Sequence, residues 1–131
     1  MKVHNRVMNP QALVSLYGKF PSFDGAELID VHFKCDDPLV AVKFVTREKP
    51  KAWPKRWPSD YGEVLVGLSF IGVSRLSFEQ WGYENVVDKF ELKDVGEGVF
   101  VRISCKNEAA LTFSCDWIRI ESVTYGNIGS P

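Results

Sequence analysis

Asp24, Glu27 and Asp30 follow one another at intervals of three. Carboxylates so close together can share acid–base work or hold a hard cation. A calcium loop needs several more oxygen ligands than this stretch supplies, so a structural role is the plainer reading. Asp24 then starts an Asp-Gly turn, and Glu27 opens the following strand on its solvent side. Of the two histidines, His4 lies at the start of the chain and His32 on the polar face of a strand. A general base needs an orienting partner, and no nearby spacing supplies one. The sequence has no Gly-x-x-x-x-Gly-Lys loop, Gly-x-Ser-x-Gly elbow or His-Glu-x-x-His helix. We therefore assign no catalytic residue, no metal site and no cofactor. A hydrolase or isomerase using one of the three carboxylates is the weakest of the readings considered.

Cys35, Cys105 and Cys115 are odd in number and match neither a disulfide scaffold nor a zinc site. They are expected to be reduced thiols, each buried as a small hydrophobe.

The least ordinary segment runs from Arg47 to Pro58. It holds five basic residues against one acid, with Trp53 and Trp57 four apart and prolines at 50, 54 and 58. The prolines exclude a regular helix or a central strand, leaving an exposed loop or an edge. Aromatics interleaved with cations suit stacking on bases, sugars or a protein partner. Tryptophans that pin a long loop to the body of the protein fit the pattern equally well.

These groups need a frame. Asn9 as N-cap, Pro10 at the first turn and Gly18 as stop predict one short helix, with Leu13, Leu16 and Tyr17 as its apolar stripe. Beyond Pro21 the period changes to two. Ile29, Val31, Phe33 and Cys35 alternate with polar residues, as in a half-buried strand. Val40, Val42 and Phe44 mark a second strand, and residues 63–71 a third, covered on both faces. Leu76 with Phe78, and Phe90 with Leu92, mark two short strands. The series Val99–Cys105 and Leu111–Cys115 are joined by a hairpin link at Lys106–Glu108, and a last strand passes through Ile118 and Ile120. Trp81, Gly82 and Tyr83 are expected to close one end of the core, and Trp117 to face outward or cover a second face. The fold class is thus mainly β (α+β): roughly eight short antiparallel strands in a sandwich or strongly curved sheet, with one short N-terminal helix.

The 131 residues suit a single domain, 1–131, with 45% hydrophobic and 25% charged residues, ordinary values for a globular chain. A net charge of −1 offers no global attraction to nucleic acid or anionic lipid, so nucleic acid is disfavoured as a partner. No leader-like h-region and no apolar run long enough for a membrane span are present, which makes a cytoplasmic location the simplest reading.

Two stretches resemble a known family. Leu16-Tyr17-Gly18-Lys19-Phe20-Pro21-Ser22-Phe23, followed by Ala26-Glu27, is similar to the signature of the immunity protein 50 family. Phe78-Glu79-Gln80-Trp81 through Asn85-Val86-Val87 resembles its second block, and a strand-rich body ending in Ile118-Arg119-Ile120 fits its layout. One departure stands out: where that family usually has His-Asp before Ala-Glu, this chain has Asp24-Gly25. The resemblance implies a small cytoplasmic antidote in a bacterial polymorphic toxin system, encoded beside a toxin that it binds and blocks. It implies a protein ligand, no cofactor and no reaction.

Two surfaces are candidates for that contact. One is Trp53, Lys55, Arg56, Trp57 and Tyr61; the other is the acidic set beginning with Asp24 and Glu27 and continuing to Asp37. The rival reading is a carbohydrate- or nucleic-acid-binding β module with Trp53 and Trp57 as stacking platforms.

Overall fold

Alternation at a period of two places side chains on opposite faces of an extended chain, and most such runs in this sequence are strands. The computed structural model describes residues 6–17, 22–48 and 62–126. Among these residues the elements are β1 (Val7–Met8), α1 (Gln11–Tyr17), β2 (Glu27–Lys34), β3 (Leu39–Thr46), β4 (Glu63–Ile71), β5 (Ser74–Glu79), β6 (Val87–Asp94), β7 (Val99–Cys105), β8 (Ala110–Cys115) and β9 (Trp117–Gly126). They form two sheets, one ordered β1-β9-β4-β3-β2 and the other β5-β8-β7-β6. Pairing is antiparallel throughout except where β1 runs parallel to β9. The mainly β class with one short helix therefore holds, and the sheets stack as an open sandwich with no closed barrel.

The core is the meeting of two inner faces. Val40, Val42 and Phe44 of β3 and Val64, Val66, Leu68 and Phe70 of β4 are buried, as the alternation predicts. Val101, Ile103, Leu111 and Phe113 oppose them from the second sheet. Phe70 and Phe113 meet edge to face across the gap at 4.9 Å. A second aromatic knot joins Phe23 to Phe44, stacked at 4.6 Å, with Phe90 of β6 at 5.5 Å from each ring. Such ring pairs add roughly 0.5–1.5 kcal/mol beyond the area they bury. Phe23 holds φ at 61°, a left-handed backbone that bulky residues rarely adopt, and this packing fixes it there.

The helix covers the β1/β9 edge. Leu13 and Tyr17 are buried in the same core, and the Tyr17 hydroxyl donates to the Glu48 carbonyl at 3.0 Å. Gly18 and the side chain of Leu16 lie outside the described residues. Asn9 is not a side-chain cap. Its amide is turned to β9, where it donates to the Ile120 carbonyl and accepts from the Ile120 N–H. Its own carbonyl begins the helix by accepting from Ala12.

Other expectations need correction. A register shift between Leu28 and Asp30 resets the alternation in β2, so Leu28 is buried while Ile29 and Phe33 are exposed and Val31 is half-buried. Beyond the strand, Cys35 enters the turn to β3 and is exposed, unlike the buried Cys105 and Cys115. Trp81 and Tyr83 do not close the core; the buried group in that loop is Asn85. On β4, Leu65 and Ile71 are half-buried, so its outer face is only partly covered. Trp117 faces outward, with the Arg6 guanidinium 5.4 Å from its ring centroid.

Candidate functional site

The chain between β5 and β6 crosses the end of the second sheet, and β2 runs alongside it. The two are joined at one end by backbone. The Leu28 N–H donates to Asn85 O at 2.9 Å, Val87 N–H to Ala26 O at 2.7 Å, and Gly25 N–H to Val87 O at 2.8 Å. Glu27 and Val86 form an isolated antiparallel bridge within this join. At the other end the contact is aromatic. Phe33 meets Phe78 edge-on at 5.5 Å, and Phe78 meets Trp81 in the same way at 5.5 Å.

The loop from residue 80 to 86 is held by one buried side chain. The Asn85 amide donates to Gly82 O at 3.0 Å, while its oxygen accepts from Gly82 N–H at 3.0 Å and from the Asn107 amide at 2.9 Å. A Cβ on residue 82 would stand 2.6 Å from the Asn107 amide nitrogen, so a larger residue there would displace the Asn107 side chain from Asn85. The pinned turn presents its two neighbours to solvent: Trp81 is 44% exposed and Tyr83 98%. Phe33 at 42% and Leu76 at 43% are also exposed, on the two edge strands β2 and β5.

At the joined end lies an open groove of about 360 Å³, lined by Gly25, Glu27, Val45, Arg47, Glu63, Glu84 and Val86. Its three carboxylates come from β2, the start of β4 and the 80–86 loop, a convergence that no local spacing could announce. Glu27 opens β2 as the sequence predicts, half-buried here, and Asp24 occupies the Asp24-Gly25 turn, with φ of 82° at Gly25. Asp30 instead lines a smaller cavity of about 150 Å³ beside Lys43 and Glu121. The structure does not bring Asp24, Glu27 and Asp30 into one site. Trp53, Lys55, Arg56, Trp57 and Tyr61 lie outside the described residues, as does His4.

A second groove of about 360 Å³ lies across the molecule beside Cys115, Asp116 and Arg75. Burial, with a smaller push from the Asp116 carboxylate and a partial offset from Arg6, drives the Cys115 thiol up to about 12. Burial also raises Cys105. A thiol so far above neutral pH is a poor nucleophile, and both behave as core residues. Among the described residues no group of three or more His, Cys, Asp or Glu is placed to hold a metal ion. No described helix is long and apolar enough to cross a membrane.

The model of the family described as Immunity protein 50 matches residues 9–126, most of the chain. No curated protein and no solved structure matches it.

Proposed function

The chain belongs to the immunity protein 50 family, and from that membership we propose that it binds a cognate bacterial toxin and neutralises it by protein–protein contact, without chemistry of its own. The match over residues 9–126 carries this reading, because it takes in both sheets and the helix rather than one short motif. The form of the molecule supports it. Two stacked sheets make a stiff body, and a stiff body pays little ordering entropy when it docks. Its exposed aromatic side chains are of the type that anchors interfaces.

In this reading the protein acts as a single-domain antidote in the cytoplasm of the producing cell. The contact candidates taken from the sequence are Asp24 and Glu27, together with Trp53, Lys55, Arg56, Trp57 and Tyr61. The test is co-expression with the product of the neighbouring gene. A stoichiometric complex together with rescue of growth from that product's toxicity supports the proposal. Neither complex nor rescue would reject it.

A further inference from the structure

Among the exposed surfaces of the described residues, one has the makeup of an anchor site. Phe33, Phe78 and Trp81 form a continuous row from β2 to the loop after β5, and Leu76 of β5 and Tyr83 of that loop are exposed as well. A phenol that is 98% exposed contributes almost nothing to the fold. Yet the turn that carries it is fixed by three hydrogen bonds to the buried Asn85 side chain. Rigid presentation of solvated aromatics lowers the entropy lost on docking, which is what an interface anchor needs.

The charge around this surface indicates the chemistry of its occupant. Residues 31–37 and 74–84, which carry the row, contain the carboxylates Asp36, Asp37, Glu79 and Glu84 but only two permanent cations, Lys34 and Arg75, while Asp30 lies across from Lys43 in a separate cavity. The ion pair among the described residues is Arg119–Glu121, and these four carboxylates form none with a described residue. An apolar centre with a net acidic rim complements a protein surface that is basic around an apolar patch. We propose that the face formed by β2 and residues 74–84 is the docking surface for the toxin, and that the toxin meets it with a basic face. This rests on the antidote reading above and adds the place of contact and the partner's charge.

The test uses the full chain, with the protein encoded beside it as the binding partner, and follows association and dissociation by biolayer interferometry. Tyr83→Ala and Trp81→Ala together are expected to weaken binding by at least about tenfold, mainly through faster dissociation. Tyr83→Ala alone removes a fully solvated ring, so a loss of affinity with unchanged thermal midpoint locates the effect at the interface and not in the fold. Raising sodium chloride from ~50 to ~500 mM is expected to slow association several-fold, and Asp36→Lys with Asp37→Lys to do the same at low salt. Unchanged affinity of the Trp81/Tyr83 variant, while the wild type binds, would overturn the proposed face and leave the antidote reading standing. Association indifferent to salt would overturn the basic partner. If the wild type does not bind, both readings fall together. A dimer of this chain in analytical ultracentrifugation that Phe33→Ser dissociates would assign the face to a second copy instead, and so also overturn the proposal.

Discussion

The side-chain amide of Asn9 makes two hydrogen bonds to one residue of β9: Nδ2 donates to the Ile120 carbonyl at 2.9 Å, and Oδ1 accepts from its N–H at 3.2 Å. An amide side chain thus imitates a strand residue, continuing by one step the ladder in which Val7 pairs with Ile118 and Met8 with Arg119. The left-handed backbone at Asn9, φ 50°, turns the chain out of β1 into the helix while the side chain keeps the ladder going. Asn9→Ala leaves both Ile120 backbone groups without this partner and is expected to cost about 1–3 kcal/mol, read as a lower urea midpoint. Asn9→Asp keeps the acceptor but sets a carboxylate against the Ile120 carbonyl, so it should recover little of the loss.

Phe44 is the hub of the Phe23–Phe44–Phe90 knot and is fully buried. Phe44→Ala is expected to cost about 3–5 kcal/mol in equilibrium unfolding. Because Phe23 holds its unusual backbone against this ring, amide exchange around residues 22–26 should accelerate more than at β7 and β8.

Removing the Asn85 side chain with Asn85→Ala strips partners from both backbone groups of Gly82 and from the Asn107 amide. The expected cost is about 1–3 kcal/mol. The Trp81 fluorescence anisotropy should fall as the loop loosens, while Tyr83→Ala, which removes no buried contact, should change stability by less than about 0.5 kcal/mol.

The three thiols should separate kinetically. Cys35 is exposed, and a maleimide should modify it rapidly in the native protein, whereas Cys105 and Cys115 should react only on unfolding. One modified cysteine per chain under native conditions and three in denaturant is the expected mass spectrum.

The Cys115 thiol also ties stability to alkaline pH. Its folded value is raised from an ordinary 9.0 to about 12, so between these limits the unfolded chain has lost a proton that the folded chain retains. Stability therefore falls as pH rises through this window, by up to about 1.4 kcal/mol per pH unit, and the contribution is complete below it. Urea titrations at pH ~9 and ~11 should show a steeper loss in wild type than in Cys115→Ala, which has no thiol to ionise.

Strands β3, β4, β7 and β8 are legible in the sequence because both neighbours of each lie in the same sheet or its hairpin, so strict alternation is enforced by a core on one side. Strand β2 is an edge strand, and its irregularity at Leu28–Asp30 shifts the alternation in a way that residue types do not encode. Val7–Met8 is too short for any period, and its pairing with β9 depends on a partner more than a hundred residues away. Glu27 could be placed at a strand start from local signals. Its neighbours Glu63 and Glu84 could not, because the groove they share is assembled by three separate segments. Trp81, Gly82 and Tyr83 read in the sequence as closing an end of the core, but the small polar Asn85 takes the buried position because its hydrogen bonds are satisfied there.

The last strand lies between β1 and β4, inside the first sheet and not at its margin. Until residues 117–126 have been synthesised, that sheet cannot close, and Phe70 and its neighbours on β4 have no strand on one side. Assembly must therefore wait for β9 and join segments far apart in sequence, which places folding in the slow range of milliseconds to seconds common to β sandwiches. A nascent chain stalled before β9 would present an unpaired β4 edge, the kind of surface on which chaperones act.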